Sequence, residues 1–399
     1  MKGVFIKTLG CKLNQAESEH LELCLAERGY NLSFSPFTAE ISILNTCTVT
    51  HIADRKSRHF LRWMKKVNPE ARVLVTGCYA RRDPEILSAL ADAVLPHEED
   101  ILNALEPEED RDNFILTRSR SLIKIQEGCD QRCSFCIVPY VRGRERIVPP
   151  DEVVAEVLHR VKLGYKEVTL TGTNIGSYPE LPYLVYRILQ ETDIGRIRLS
   201  SLKPQDITSE LLHLFSGQRV CPHFHLPLQS GSDSVLSRMK RGYSGAQYRR
   251  AVSLIREKLP HAAITTDVIV GFPQEKDEEF AESLEFCQGI KFVKLHVFPF
   301  SPRRGTAAYH LPQVEEKVKQ ERVRMMSKLS EESQAQFREK CLGQKRTVLW
   351  EERVRKIWSG LTDNYLRVFA CAEQDLSHKF SRVMLLKEIE GGIWGEIAS

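Results

Sequence analysis

The feature that most constrains this chain is Cys129-Asp130-Gln131-Arg132-Cys133-Ser134-Phe135-Cys136, three cysteines at C-x3-C-x2-C spacing. They follow an apolar run, Leu122 to Ile125, that reads as a strand, so the thiols sit on a short loop at a strand end. Three thiolates suit a 4Fe–4S cluster with one iron left open. Zinc usually takes a fourth ligand and paired C-x2-C elements. Three unrelated core cysteines are the plain alternative, but free cysteine packs as a small apolar group and has little reason to sit among Gly, Asp, Gln and Arg.

Composition narrows the class. The 399 residues suggest two or three domains at roughly 150 residues each. Fifty-seven Lys and Arg against 53 Asp and Glu leave a net charge of +4, so a nucleic-acid footprint must come from local patches. Eleven scattered cysteines do not make a disulfide scaffold. No run approaches the roughly 20 apolar residues of a membrane span. Met1 to Gly10 reads as a strand and holds no signal-peptide core. A reducing, cytoplasmic location is expected.

The first 118 residues repeat one pattern three times. Strands at Val4–Thr8, Ile41–Leu44 and Val73–Val75 end at Gly10-Cys11, Asn45-Thr46-Cys47 and Gly77-Cys78, with helices expected from Asn14, Ile52 and Pro84. Strand–helix alternation implies a parallel sheet whose carboxyl ends share one edge, where ligands bind. Cys11, Cys47 and Cys78 should therefore converge and hold a second 4Fe–4S cluster. Small residues filling strand-end turns, or a zinc site with His51 added, are the competing readings.

Residues 119–340 alternate again, with strands at Leu122–Gln126, Glu167–Leu170, Ile197–Ser200, Phe224–Leu228, Ile264–Val270 and Val293–Phe298. Six β/α units suggest a partial barrel. Polar turns at Thr171-Gly172-Thr173-Asn174, Gln229-Ser230-Gly231-Ser232 and Gly271-Phe272-Pro273 would line one mouth, or be ordinary βα turns. From Gln313 to Lys340 apolar residues at Val314, Val318, Met325, Leu329 and Phe337 mark an amphipathic connector helix. Residues 341–399 read as a small β-barrel with runs at Arg346–Trp350, Tyr365–Phe369, Val383–Leu386 and Ile393–Ile397. Its Lys345, Arg346, Arg353, Arg355 and Lys356, interleaved with Trp350 and Trp358, suit phosphates and bases, or a solvated face over core tryptophans. The expected fold class is α/β: an N-terminal Rossmann-like parallel α/β domain, a central partial (β/α)6 barrel and a C-terminal β-barrel.

Thr8-Leu-Gly-Cys11-Lys-Leu-Asn14, Asn45-Thr-Cys47-Thr-Val-Thr50, Thr76-Gly-Cys78-Tyr-Ala80 and the Cys129 loop resemble the radical-SAM methylthiotransferases. The likeness continues through Pro139-Tyr-Val-Arg-Gly-Arg-Glu-Arg146, His225-Leu-Pro-Leu-Gln-Ser-Gly231, Asp267-Val-Ile-Val-Gly-Phe-Pro273 and Ser301-Pro-Arg-Arg-Gly-Thr306, and covers almost the whole chain. The tail resembles a TRAM domain. Of the family's branches, acting on isopentenyladenosine in tRNA, threonylcarbamoyladenosine in tRNA, or an aspartate of a ribosomal protein, Gly10-Cys-Lys-Leu-Asn14 looks most like the second. The isopentenyl branch usually has Gln-Met-Asn after its first cysteine. Two departures touch the expected substrate loop: Ile147 stands where the family often has Ser, and the stretch from Asn174 to Leu181 is short.

The resemblance implies two 4Fe–4S clusters and S-adenosylmethionine (SAM). Cys129, Cys133 and Cys136 would hold the SAM-binding cluster, and Cys11, Cys47 and Cys78 an auxiliary cluster carrying sulfur. The product would be the 2-methylthio adenine just 3′ of the anticodon. Phe135, Thr171, Gly172, Asn174, Gln229, Ser230 and Asp267 are the expected SAM or substrate contacts. Arg142, Arg144 and Arg146 would meet tRNA phosphates or the SAM carboxylate, or be solvated. Expected partners are the tRNA anticodon stem-loop, a reductant such as flavodoxin or ferredoxin and a sulfur donor, with the protein a monomer off the membrane. A non-catalytic iron–sulfur RNA-binding sensor is the reading from another class.

Overall fold

The computed structural model describes residues 2–108 and 118–398. Segment 109–117, at the end of the expected first domain, lies outside the described residues, as do residues 1 and 399.

Five strands open the chain: β1 (Gly3–Thr8), β2 (Asn31–Ser33), β3 (Ile41–Thr46), β4 (Arg72–Gly77) and β5 (Ala93–Val94). They lie side by side as β2-β1-β3-β4-β5, every pair parallel. β3 is central and buried along its whole length, as a strand covered by helices on both faces must be. Ile43 packs with Val4, Leu21 and Leu25 on one face, and Leu44 with Val75, Leu61 and Met64 on the other. The helix His51–Val67 starts where the Thr50 hydroxyl accepts from the Ala53 amide at 3.1 Å, and Lys65 and Lys66 close its last turn. β2 and β5 went unread because two or three residues carry no periodicity.

The middle of the chain adds β6 (Arg120–Lys124), β7 (Gln126–Glu127), β8 (Arg146–Ile147), β9 (Glu167–Thr171), β10 (Arg196–Leu199), β11 (His223–His225), β12 (Ala263–Val270) and β13 (Lys294–Pro299). Two parallel three-stranded sheets, β10-β9-β6 and β11-β12-β13, are joined by bridges Ile197–Val220 and Ser201–His225. The result is an open arc of six parallel strands in sequence order, the expected partial (β/α)6 barrel. β7 and β8 form an antiparallel clip that closes the base of the cysteine loop. Only Gln126 of this clip falls within the expected strand Leu122–Gln126.

The connector is the 26-residue helix Glu316–Cys341. Its inner face centres on Met326, fully buried, whereas Met325 is exposed. Leu329 and Phe337 of the expected stripe pack inward, but Met325 is corrected to Met326, and Arg322 also takes an inner position, neutralised by Glu275 and Asp277 at 2.7 Å each.

Five strands, β14 (Lys345–Val354), β15 (Ile357–Thr362), β16 (Arg367–Cys371), β17 (Phe380–Ile389) and β18 (Gly392–Ile397), close a barrel in the order β14-β15-β16-β18-β17. β15 was not expected, its run being broken by Gly360. Trp350 and Trp358 form the barrel core at 0% and 2% exposure, so the expectation that they stack on bases is overturned. The barrel docks on the amino ends of the arc: Arg196 donates to Thr347 O at 2.6 Å and Ser119 to Trp350 O at 2.7 Å. Among the described residues no helix is long and apolar enough to cross a membrane.

Candidate active site

Cys11, Cys47 and Cys78 stand just past the carboxyl ends of β1, β3 and β4, which are neighbours in the sheet. Gly10 makes the approach possible: its φ is +122°, and a Cβ there would lie 2.9 Å from Cys47 Cβ. Two buried asparagines lock the turn. Asn14 Nδ2 donates to Asn45 Oδ1 (2.9 Å) and Thr46 O (3.0 Å), its Oδ1 accepts from Cys11 Sγ (3.2 Å), and Asn45 Nδ2 donates to Asn14 O (2.9 Å). Burial first, then the neighbouring thiols, raise the pKa of Cys47 and Cys78: Cys78 and Cys11 act on Cys47, and Cys11 on Cys78.

The second trio is held by its loop. Gly128 has φ +76°, and a Cβ there would strike Arg144 O at 2.0 Å. Ser134 anchors the centre: its hydroxyl donates to Arg238 O (2.7 Å), its amide to Met239 O (3.1 Å), and its carbonyl accepts from Ala308 N (2.8 Å). Arg241 Nη1 donates to Cys133 Sγ at 3.5 Å. Lys203 adds a second positive charge near Cys129 and Cys133.

The two trios share a wall. Ile137, next to Cys136, packs with Val141 against Cys78. Arg142 crosses the same wall, donating through Nε to Cys78 Sγ (3.2 Å), to Glu17 (2.6 and 3.0 Å) and to Glu127 (3.0 Å). It is 5% exposed. Arg142 is thus no phosphate contact, which corrects the expectation. The sequence offered no sign of its partners, since Glu17 lies 125 positions away.

The donor set fits iron–sulfur clusters. Burial pushes the Cys47 and Cys136 thiols up to about 12, a cost that bound metal removes by deprotonating its ligands. Hydrogen bonds aimed at sulfur from Val49 N (3.5 Å), Arg142 and Arg241 are of the kind that tune cluster sulfurs. Among the described residues no three His, Cys, Asp or Glu side chains gather as ligands of a single ion, so His51 completes no zinc site. A cluster has no such need, because each thiolate binds its own iron.

A cavity of about 720 Å³ opens beside Cys11. Its walls come from all three parts of the chain: Cys11 and Lys12, then Thr171, Gly172, His223 and Asp267 of the arc, then Tyr365 and Arg367 of the C-terminal barrel. Of the expected contacts, Thr171, Gly172 and Asp267 line it, and Asp267 pairs with His225 at 3.3 Å. Asn174 donates its amide to Gln126 Oε1 at 2.9 Å, and Gln126 Nε2 donates to Gly128 O at 2.8 Å. Gln126, unread in the sequence, so ties the β9 turn to the cysteine loop. Gln229 is held in the left-handed region at φ +71° by two 2.8 Å bonds to β12, strain of a kind that clusters at functional sites. Ser230 is fully buried inside its turn and Phe135 packs against Val235, Met239 and Phe272; neither reaches this cavity.

A model of the radical SAM superfamily matches residues 123–287, and that of uncharacterized protein family UPF0004 matches residues 3–95. The chain is 35% identical to the threonylcarbamoyladenosine tRNA methylthiotransferase MtaB of Bacillus subtilis, over 97% of this chain and 94% of that protein. It is 37% identical to the protein of that name from Aquifex aeolicus, over 92% and 96%. Identity to the tRNA-2-methylthio-N(6)-dimethylallyladenosine synthase of Thermodesulfovibrio yellowstonii is 35%, over 88% and 89%. In fold it is similar to the radical SAM methyltransferase TsrM of Kitasatospora setae solved with cobalamin and a [4Fe-4S] cluster (TM-score 0.58, 13% identity, 90% and 81% covered).

Proposed function

The chain belongs to the radical-SAM methylthiotransferase family, and from that premise we propose that it places a methylthio group on carbon 2 of threonylcarbamoyladenosine, 3′ of the anticodon in tRNA. Its cofactors are those of the family, SAM and 4Fe–4S clusters. The observation that carries the reading is the shared wall: Cys78 of one trio packs on Ile137, the neighbour of Cys136 in the other. In this reading residues 1–118 carry the auxiliary cluster on Cys11, Cys47 and Cys78, residues 119–340 the SAM cluster on Cys129, Cys133 and Cys136, and residues 341–399 grip RNA.

When bound, the clusters and SAM supply the sulfur and the one-electron chemistry that an aromatic C–H bond demands. The protein supplies position. Arg142 holds positive charge at Cys78 and Arg241 at Cys133. Thr171, Gly172 and Asp267 form the wall against which the adenine is oriented beside Cys11. Phe135, Asn174, Gln229 and Ser230 shape the loops behind that wall. Arg353, Arg355 and Lys356, exposed on the hairpin that joins β14 and β15, meet phosphates. A flavodoxin- or ferredoxin-type reductant and a sulfur donor complete the reaction in the cytoplasm, with a monomeric enzyme.

The test is nucleoside mass spectrometry of tRNA incubated anaerobically with reconstituted protein, SAM and reductant, in a pool containing both hypermodified adenosines. Gain of methylthio on the threonylcarbamoyl nucleoside alone is expected. Gain on the isopentenyl nucleoside would overturn the branch, and no gain on either would overturn the reaction.

A further inference from the structure

We infer that Lys12 and His223 form a carboxylate subsite within the cavity, and that this subsite selects the threonylcarbamoyl adenine over neutral ones. The inference rests on the reading that the modified adenine enters beside Cys11.

Lys12 follows Cys11 directly and lines the cavity. Its ammonium lies 5.9 Å from the centroid of the Tyr365 ring, and among the described residues it has neither a carboxylate nor a hydrogen-bond acceptor. The neighbouring cations are matched: Arg198 binds Glu167 at 3.0 Å, and Arg120 pairs with Glu351. His223 stacks on the same Tyr365 ring, centroids 4.6 Å apart. It is 4% exposed, its Nε2 meets Thr265 Oγ1 at 3.3 Å, and its Nδ1 is buried without a partner. Burial holds the imidazole neutral; Thr265 Oγ1 lies between His223 Nε2 and His225 Nδ1, and in the tautomer in which it donates to His223 the proton sits on Nδ1 and has no acceptor. The one carboxylate on the described wall, Asp267, is engaged by His225.

An unpaired ammonium and an orphaned N–H against one aromatic ring want an anion with two oxygens. The threonine moiety of the substrate ends in such a carboxylate; an isopentenyl group is hydrocarbon and would leave both donors desolvated and unpaired. The subsite is built on the Tyr365 ring in the wall of the cavity.

The experiment uses the full-length reconstituted protein and anticodon stem-loop RNAs carrying threonylcarbamoyladenosine, its carboxylate methyl ester, or isopentenyladenosine. Affinity is read by fluorescence anisotropy and product by mass spectrometry. Wild type should prefer the free acid over the ester by about tenfold or more. Lys12→Gln and His223→Phe, which keeps the stack, should each erase that preference by weakening the acid alone, and Lys12→Arg should restore most of it. Unchanged iron content in Lys12→Gln shows that Cys11 is undisturbed. Equal weakening of acid and ester, as a phosphate contact or a folding defect would give, overturns the subsite, and so does unchanged acid affinity. Acid-specific loss of binding in a protein that modifies none of the RNAs would uphold the subsite and sink the proposed reaction.

Discussion

The two cysteine trios are built by opposite means. Cys129, Cys133 and Cys136 are local: eight consecutive residues, a β7–β8 clip and three hydrogen bonds to Ser134 position them. Cys11, Cys47 and Cys78 are far apart in the chain and meet only because β1, β3 and β4 are parallel neighbours. The first depends on a loop, the second on the register of a whole sheet. Arg142 and Ile137 join them, so neither is fully independent.

That difference can be broken deliberately. The largest effect is expected from Cys133→Ala and Cys47→Ala: each should lose about half the iron of the reconstituted protein and the electron paramagnetic resonance signal of one cluster only. Loss of both signals in either variant would mean that the trios do not assemble separately.

Next comes Arg142→Gln, which strips Glu17 of its two-pronged partner in the wall and leaves Glu127 to Arg81. About 3–5 kcal/mol of stability should go, measured by urea unfolding, with both clusters depleted. A change below ~1 kcal/mol would show that the ion network contributes little.

Gly128→Ala and Gly10→Ala separate the two regions at smaller cost. Each forces a side chain into a positive-φ conformation and a clash, worth about 1–3 kcal/mol. The first should deplete the loop cluster and spare the sheet cluster; the second should do the reverse. Identical depletion patterns would deny the comparison.

Acid sensitivity reports on the wall itself. Burial alone would raise Glu127, but Arg81 and Arg142 overcome it and hold the carboxyl at about 2, below its ordinary 4.5. Its folded pKa is depressed, so its contribution is complete above pH 4.5 and fades as pH falls toward 2. Wild type should exceed Glu127→Gln by on the order of 3 kcal/mol near neutrality, and the two stability curves should converge toward pH 2. Parallel curves would refute the assignment. The smallest effect belongs to Lys356→Ala, a few-fold loss of tRNA affinity with a salt slope reduced by about one; an unchanged slope would remove that residue from the RNA surface.

Legibility followed the same divide. The loop trio announced itself through spacing, and the sheet trio through three strands each ending on a cysteine. The arc of six strands was readable because each is a short apolar run with a polar turn behind it. What escaped needed partners distant in sequence. Arg142 looked like one of a row of surface arginines until Glu17 and Cys78 enclosed it. Trp350 and Trp358 looked like a stacking surface until barrel closure turned them inward. Tyr365, near a strand start, gave no hint that it reaches into the cavity beside Lys12. β15 was hidden by Gly360, which lets β14 approach closely.

The most direct measurement compares two products in Cys47→Ala and Cys133→Ala under turnover conditions with threonylcarbamoylated tRNA: 5′-deoxyadenosine from SAM, and the methylthio nucleoside. The account predicts that Cys133→Ala makes neither, whereas Cys47→Ala still releases deoxyadenosine and makes no methylthio product. Methylthio product from Cys47→Ala, or deoxyadenosine from Cys133→Ala, would contradict the division of labour between the two sites.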